Sequence, residues 1–212
     1  MDFIKDKEEH DNEKDKNSEA IKIILIGDVG TGKTSLIMVS AGLKFNSKVL
    51  TTRRCSYIEK KFILNNATYK ANIWDTIGQE KYRSLTKLFV KESKIIILVY
   101  DITNRTSFES LTFWKKIVDE MVEGSHVIGI VGNKMDLYFN EQVKKEEVKE
   151  YAKSIGVKYL LTSAKTDTIS FNKFMGELLQ DFLKMESGEK IERFSLNRKK
   201  TKDKDKKKKK CC

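Results

Sequence analysis

Cysteine is scarce in this sequence, and long apolar runs are absent. Three cysteines occur among 212 residues, and two of them, Cys211 and Cys212, are consecutive. A disulfide framework is therefore not expected, and the chain is interpreted as cytosolic. No apolar run approaches the 18 or more residues of a membrane-spanning helix, and the first residues contain no apolar signal core. These absences disfavour secreted disulfide scaffolds and integral membrane proteins.

The net charge of +11 is distributed unevenly along the chain. Residues 1–20 are acidic and nearly free of apolar side chains, which predicts a disordered arm with no necessary role. Residues 198–210 are almost entirely basic. The middle of the chain is apolar enough to fill one core. We therefore expect an acidic arm over 1–20, one domain over 21–184, and a disordered polybasic tail over 185–212.

Strand and helix patterns alternate through the middle of the chain. Four runs rich in Ile and Val predict buried parallel strands: Ile21–Ile26, Lys94–Tyr100, Val127–Val131 and Val157–Leu161. Helical spacing between and after them predicts four helices: Lys33–Ala41, Phe108–Val122, Lys145–Ser154 and Phe171–Leu183. Tyr57–Leu64 and Thr68–Trp74, joined at Asn65-Asn66, predict a hairpin. The pattern predicts an α/β fold with a mostly parallel six-stranded sheet, helices on both faces, and ligands at the carboxyl ends of the strands.

The segment GDVGTGKT, residues 27–34, fits the phosphate-loop pattern G-x-x-x-x-G-K-[ST]. It follows a predicted strand and begins a predicted helix, as such a loop requires. Its glycines let backbone N–H groups surround phosphate oxygens, and the helix N-terminus favours anions. Lys33 supplies a cation to the outer phosphates, and the Thr34 hydroxyl is an oxygen ligand for Mg²⁺. Alone, the loop leaves ATPases, kinases, GTPases and a plain glycine-rich turn as alternatives.

A second motif, DTIGQE at residues 75–80, follows the predicted strand that ends at Trp74. Asp75 can hold magnesium, Gly78 can donate an N–H to the terminal phosphate, and Gln79 can orient an attacking water. An ordinary strand-to-loop turn is the simpler alternative. The motif's place after a phosphate loop and at a strand end favours the phosphate-site interpretation.

Two further motifs predict recognition of guanine. NKMD, residues 133–136, follows an apolar run, and Asp136 can accept from the N1–H and 2-amino groups of guanine. Adenine lacks those donors, and a buried carboxylate left without them would lose roughly 1–3 kcal/mol or more. Asn133 and Lys134 can brace the loop and cover the ring, and the backbone of SAK, residues 163–165, can donate to the guanine carbonyl. A polar loop and a helix cap are the alternatives for the two motifs taken singly.

Together these motifs resemble those of the Ras superfamily and, within it, the Rab family. The similarity covers Ile21 to Leu183 and the C-terminus, with WDTIGQE, KYRSLT (81–86) and LVYDIT (98–103) resembling Rab signatures. It implies a P-loop small-GTPase fold, GTP and GDP as ligands, and Gln79 as the catalytic residue. It implies Mg²⁺ ligation by Thr34, Thr52 and Asp75. The nucleotide contacts it implies are Val29, Gly30, Thr31, Gly32, Lys33, Thr34, Ser35, Phe45, Thr52, Gly78, Asn133, Lys134, Asp136, Ser163, Ala164 and Lys165.

Three aromatic residues fall where Rab proteins contact their effectors: Tyr57, Trp74 and Phe89. An ordinary set of core aromatics is the alternative. Arg53 and Arg54 stand where relatives are largely uncharged, and we expect them to select acidic effectors.

Two departures from the family pattern concern hydrolysis. Val29 occupies a phosphate-loop position that is small in most relatives, and Ile77 replaces the usual alanine beside Gln79. They predict slow intrinsic hydrolysis. They also motivate an alternative function, a mostly GTP-bound scaffold that barely hydrolyses.

The tail combines a lysine-rich run, Lys199–Lys210, with Cys211 and Cys212. The pair resembles the doubly prenylated ending of Rab proteins, and no CaaX box is formed. The resemblance implies attachment to the cytoplasmic face of intracellular membranes, with a soluble cytosolic pool. The implied partners are an exchange factor, a GTPase-activating protein, a prenylation escort and a GDP-dissociation inhibitor. A monomer is expected, and a nucleic-acid-binding tail is disfavoured because no aromatics interleave the lysines.

Overall fold

A sheet of buried aliphatic strands forms the centre of the computed structural model, which describes residues 19–47, 56–76 and 89–188, with only the backbone of Ser56 and Thr168. Its strands are β1 (Ile21–Ile26), β2 (Ser56–Leu64), β3 (Ala67–Asp75), β4 (Ile95–Asp101), β5 (Val127–Asn133) and β6 (Lys158–Leu161). They are ordered β2-β3-β1-β4-β5-β6, and only the β2–β3 pair is antiparallel. The predicted α/β fold with a mostly parallel six-stranded sheet is therefore confirmed.

Five α-helices that lie wholly within the described residues flank this sheet: α1 (Lys33–Ser40), α2 (Arg105–Glu109), α3 (Leu111–Met121), α4 (Lys145–Ile155) and α5 (Thr168–Glu186). Alternate residues of β1 and β4 point to opposite faces, as the strand period of two requires. Ile23 and Ile97 pack in the core under α1 and α5, whereas Ile24 and Ile96 pack in the core under α3 and α4. Both faces of the central strands are thus covered by helices, as predicted.

The β2–β3 hairpin turns at the predicted asparagine pair. Asn65 and Asn66 both have left-handed backbone angles, with φ of 50° and 57°. Two successive positive φ values are what a two-residue hairpin turn of the primed type needs, and asparagine tolerates them. β2 begins one residue before its predicted start, and β3 extends one residue beyond its predicted range at each end.

The helices differ from prediction mainly where polar caps begin them. The predicted helix Phe108–Val122 starts earlier, at Arg105, and is divided in two at Ser110. Its start is fixed by Asn104, whose side chain accepts a hydrogen bond from Ser107 N at 3.2 Å. A 3-10 helix, Met135–Asn140, was not predicted. No helix within the described residues is both long and apolar enough to cross a membrane.

Candidate functional site: a phosphate-loop cleft

A cleft of about 470 Å³ opens where the loops after β1, β3, β5 and β6 meet. This is the edge of the sheet at which parallel α/β folds bind ligands. It is lined by Val29, Gly30, Gly32, Lys33, Thr34, Ser35, Phe45, Asn46, Ser47, Thr76, Asn133, Lys134, Asp136, Leu137, Ala164 and Lys165. Every predicted nucleotide contact that the structure describes is in this lining except Thr31 and Ser163, which are buried behind it.

The phosphate loop runs between the end of β1 and the start of α1, and Gly32 is its tightest position. Gly32 has φ of 90°, a left-handed value that favours glycine. A Cβ atom there would lie only 2.3 Å from Nδ2 of Asn133. Glycine is therefore required at this position by the backbone angle and by the approach of Asn133.

The side chain of Lys33 is held inside the phosphate loop. Its Nζ donates to the carbonyl oxygens of Gly27 at 2.8 Å and Asp28 at 2.9 Å. Burial lowers the pKa of Lys33 to about 8, although the negative charges of Asp75 and Asp28 oppose that shift. Phosphate groups in the cleft would favour the charged form, so the loop presents a cation suited to an anionic ligand.

A hydroxyl and a carboxylate meet beside the phosphate loop. Thr34 Oγ1 donates to Asp75 Oδ2 at 2.7 Å, which joins the start of α1 to the end of β3. Hard oxygen donors of this kind fit Mg²⁺, which commonly takes few protein ligands and completes its shell with phosphate and water oxygens. The described residues contain no group of three or more His, Cys, Asp or Glu side chains able to hold a metal. The oxygens of Thr34 and Asp75 fit a Mg²⁺ ion that would also be coordinated by phosphate and water oxygens.

Asn133 connects the phosphate loop to the loop after β6. Its Nδ2 donates to Thr31 O at 2.9 Å, and its Oδ1 accepts from Ala164 N at 3.0 Å. These two buried hydrogen bonds join the phosphate loop to the loop after β6, and the role of Asn133 toward a nucleotide remains a prediction. Donation from the SAK backbone to the guanine carbonyl remains a prediction, and a contribution from Ala164 N would require sharing or exchange of its bond to Asn133.

Asp136 is oriented by the loop after β6. Its Oδ1 accepts from Ser163 Oγ at 2.5 Å, and its Oδ2 lies 3.9 Å from Lys165 Nζ. Ser163 Oγ accepts in turn from the backbone N–H of Lys165 and of Thr166, at 3.1 and 3.3 Å. The carboxylate is only 15% exposed while it lines the cleft. It is therefore a fixed acceptor at the end of the cleft formed by the NKMD and SAK segments.

The position of Lys134 depends on a residue that the sequence analysis did not single out. Lys134 has φ of 69°, and its Nζ lies 2.6 Å from Asp101 Oδ2. Asp101 is buried, and its Oδ1 accepts from the backbone N–H and hydroxyl of Thr103 at 2.9 and 2.8 Å. Asp101 and Asn133 are register partners at the ends of β4 and β5, so this pairing follows from sheet topology.

Phe45 and Val29 lie at the rim of the cleft, where they are 38% and 42% exposed. Phe45 was predicted as a nucleotide contact, and its partial exposure leaves part of the ring available to a ligand. Four other lining residues were missed: Asn46, Ser47, Thr76 and Leu137. Thr76 directly follows β3 and donates through Oγ1 to Leu25 O at 2.6 Å. Its position at the end of a predicted strand was the sequence feature that could have identified it.

The three predicted effector-contact aromatics form a continuous row outside the cleft. The ring centroids of Tyr57 and Trp74 are 4.9 Å apart, and those of Trp74 and Phe89 are 5.9 Å apart. Tyr57 is 53% exposed, while Trp74 and Phe89 are partly buried against the core beneath α3 and α4. The row is therefore a partly exposed surface as well as an edge of that core.

Several predicted residues lie outside the described residues: Thr52, Arg53, Arg54, Ile77, Gly78, Gln79, Cys211 and Cys212. The same holds for most of the arm over 1–20 and of the tail over 185–212. The assignments to these residues remain predictions.

Comparison with known proteins gives independent evidence for the family of this chain. Residues 22–184 match the model of the Ras family. Human Ras-related protein Rab-21 is 38% identical over 165 residues, which cover 78% of this chain and 71% of the relative. Rice Ras-related protein Rab5A is 34% identical over 79% of this chain and 82% of its own length. GTP-binding protein ypt3 of Schizosaccharomyces pombe is 32% identical over 85% and 84%.

The phosphate loop, the sheet order and these matches define a small GTPase. The chain belongs to the Ras family and, within it, to the Rab proteins.

Proposed function

We propose that this Rab-type GTPase binds GTP and GDP in the described cleft, cycles between the two states, and recruits effectors to membranes in vesicle trafficking. The observation that carries the proposal is the fixed carboxylate of Asp136, placed in the same cleft as the buried cation of Lys33. The carboxylate of Asp136 can accept from the N–H donors of guanine, and the cation of Lys33 can donate to phosphate oxygens. The nucleotide-binding domain is assigned to residues 21–184, between an arm over 1–20 and a tail over 185–212.

Hydrolysis transfers the terminal phosphoryl group of GTP to water. The oxygen of water forms a bond to the γ-phosphorus, the bond to the bridging oxygen breaks, and GDP and phosphate are released. Gln79 is assigned to orient that water, and Lys33 stabilises negative charge on the outer phosphates. Thr34, Thr52 and Asp75 are assigned to Mg²⁺, which when bound neutralises charge on the phosphates. Contacts of Thr52 and Gly78 with the terminal phosphate would order the segments that contain these two residues, and hydrolysis would release both segments.

The aromatic row formed by Tyr57, Trp74 and Phe89 is assigned to effector contact. Partly exposed aromatic side chains are frequent anchors of protein interfaces. Arg53 and Arg54 are assigned to the selection of acidic partners through electrostatic complementarity. The family resemblance supports an exchange factor, a GTPase-activating protein, a prenylation escort and a GDP-dissociation inhibitor as further partners. The lipidated tail is assigned to the cytoplasmic face of intracellular membranes, with a soluble pool.

Base recognition is tested by Asp136→Asn. An amide cannot accept from both guanine donors, whereas it can donate to the 2-oxo group of xanthine. We expect GTP affinity to fall on the order of 10- to 100-fold, because a charged acceptor is removed from a mostly buried site. Xanthosine triphosphate should gain affinity. Competition titrations with GTP, ATP and xanthosine triphosphate measure both effects.

Asp119→Asn is the matched control, because Asp119 lies on α3 and pairs with Lys115 at the surface. It should keep the parental preference for GTP over ATP. An unchanged guanine preference in Asp136→Asn would refute the assignment of Asp136. If ATP and GTP competed equally well for binding to the parent protein, guanine nucleotide would be refuted as the specific ligand.

The second candidate function is a slowly hydrolysing, mostly GTP-bound scaffold for effectors. It is favoured by Val29, a stiff β-branched side chain exposed at the rim of the phosphate loop. A misplacement of attacking water of about 1 Å can lower a rate on the order of 100-fold. Val29→Ala should therefore accelerate single-turnover phosphate release from preloaded GTP. Nucleotide affinity should change little, because alanine keeps the backbone N–H of the phosphate loop at this position. Equal rates in parent and variant would remove this argument for the scaffold.

A further inference from the structure

A buried tryptophan of α3 reaches the phosphate loop. Trp114 Nε1 donates to Asp28 Oδ1 at 2.9 Å, across 86 positions of the sequence. The indole is 1% exposed and belongs to the core beneath α3 and α4. Its position is therefore fixed by packing, and the carboxylate of Asp28 is held against the helix side of the loop.

Asp28 is also held through its backbone. Its carbonyl oxygen accepts from Lys33 Nζ at 2.9 Å and from Thr31 Oγ1 at 3.0 Å. The residue thus joins α3 to the lysine that faces the cleft. A change in the position of Asp28 would therefore shift an acceptor that holds Lys33 Nζ.

A carboxylate is an unfavourable neighbour for phosphate groups, because like charges repel. Among the described residues, the next two positions, Val29 and Gly30, line the cleft, whereas Asp28 does not. The hydrogen bond from Trp114 accounts for this placement, since it engages the carboxylate on the side of α3. Without that donor, the partly buried carboxylate could rotate, and its charge could approach the ligand.

We infer that Trp114 is a positioning residue that holds the Asp28 carboxylate away from the nucleotide phosphates and so sets how long the nucleotide stays bound. The inference rests on the proposed function, because it assumes a nucleotide in this cleft. Trp114 would then influence the rate of nucleotide release from α3, although it does not line the cleft.

The test is a double-mutant cycle of Trp114→Phe and Asp28→Asn. Phenylalanine keeps an aromatic ring but has no N–H, and asparagine keeps an acceptor oxygen but has no charge. The measurement is the release rate of fluorescent GDP and GTP from the full chain at fixed Mg²⁺, with thermal unfolding recorded in parallel. The cycle isolates the interaction because both single changes and the double change are compared.

In the parental background, Trp114→Phe should accelerate GDP release on the order of tenfold, because a hydrogen bond to a charged group is lost. The acceleration should diminish as salt rises, since the freed charge is then screened. In the Asp28→Asn background, the same Trp114→Phe change should alter release by less than about twofold, because no carboxylate remains to repel phosphate. GTP should be affected at least as strongly as GDP because it carries one more phosphate.

Equal acceleration in both backgrounds would overturn the inference and assign Trp114 to packing alone. Unchanged release in Trp114→Phe would overturn it as well. If Trp114→Phe does not fold, replacing Trp114 site-specifically by 3-benzothienylalanine, which keeps the ring shape without the N–H, gives the same comparison. A parent that bound no guanine nucleotide would overturn the proposed function, whereas normal binding with equal release rates would overturn only this inference.

Discussion

Tyr100 carries a buried hydroxyl for which the described residues offer no hydrogen-bond partner. The side chain is fully buried on β4, and its ring contacts Phe108 with centroids 5.1 Å apart. Burial raises the pKa of this hydroxyl above its ordinary value, and the nearby charges of Glu141 and Glu147 add to the shift. The hydroxyl is thus desolvated and neutral without a compensating bond.

Tyr100→Phe should therefore leave the free energy of unfolding unchanged or raise it by up to about 1 kcal/mol, because an unpaired polar group is removed. Ser107→Ala is the matched contrast. Ser107 Oγ is buried, donates to Asn104 O at 2.7 Å and accepts from Asp101 N at 3.0 Å. Its loss should destabilise the fold by about 1–3 kcal/mol.

Urea unfolding of the two variants measures these changes. A loss of more than about 1 kcal/mol in Tyr100→Phe would show that water or a residue outside the described ranges pairs with the hydroxyl.

At the residue scale, local motifs indicated which residues line the cleft, whereas contacts between distant segments were not predicted. Lys33, Asn133 and Asp136 were placed in the cleft from motif spacing alone. The ion pair of Lys134 with Asp101 and the bond from Trp114 to Asp28 depend on strand register and helix packing. A single sequence carries no local signal for such contacts, because their partners are 33 and 86 positions apart.

At the scale of elements, the start of α5 controls the loop that holds Asp136. Asp167 caps the helix, with Oδ1 accepting from Ser170 N at 3.0 Å and Oδ2 accepting from Thr162 Oγ1 at 3.2 Å. Its backbone N–H donates to Ser163 O at 2.8 Å. Burial alone would raise the pKa of Asp167, but the hydrogen bonds from Ser170 and Thr162 outweigh it and lower the pKa.

A lowered pKa makes this cap sensitive to acid. The folded state binds fewer protons than the unfolded chain, whose aspartates titrate near pH 3.9. The stabilisation from Asp167 is therefore complete above that pH and is lost as the pH falls through the folded-state pKa. Asp167→Asn should show a shallower loss of unfolding free energy between about pH 5 and pH 2, because asparagine also caps but does not titrate.

Urea unfolding of parent and Asp167→Asn across that pH range measures the difference. The two proteins should have similar stability at neutral pH, since Asn and Asp are comparable caps. Parallel pH profiles would contradict the assigned role of the carboxylate.

The elements themselves were mostly predictable, because buried strands and amphipathic helices have distinct periods. The first and last residues of the elements were less predictable than the elements themselves. Asn104 and Asp167 begin helices through side-chain hydrogen bonds, and neither cap was predicted. The Met135–Asn140 turn was missed because a six-residue 3-10 segment has too short a repeat to be read from apolar spacing.

At the scale of the whole molecule, the tail is expected to decide where the GTPase domain works. Replacing Cys211 and Cys212 by serine should make the protein soluble in cells, because the attachment sites for both lipids are removed. Keeping the cysteines while neutralising the lysines between 199 and 210 should weaken or redirect attachment without abolishing lipidation. Each basic residue near an anionic leaflet contributes about 1 kcal/mol.

Fractionation of cells that express tagged proteins, with mass analysis of the tail, separates the two effects. A single-cysteine variant is the control, since one lipid gives only marginal, reversible binding. Sedimentation of the doubly substituted protein with membranes, to the same extent as the parent, would refute the lipid-anchor interpretation.

The sheet order has a consequence for how copies of this protein behave at high concentration. β2 is one of the two edge strands of the described sheet, the other being β6, and its nine residues are in register with β3 on one side. Within the described residues no strand pairs with the other edge of β2, and a strand edge of that length can pair with another chain and so promote aggregation. The centre of β2 carries Glu59, Lys60 and Lys61, and Lys60 is drawn inward to Ser40 O and to Asn172 Oδ1. Charge at the middle of this edge opposes the addition of a second strand, so the domain is expected to stay monomeric when many copies are crowded together.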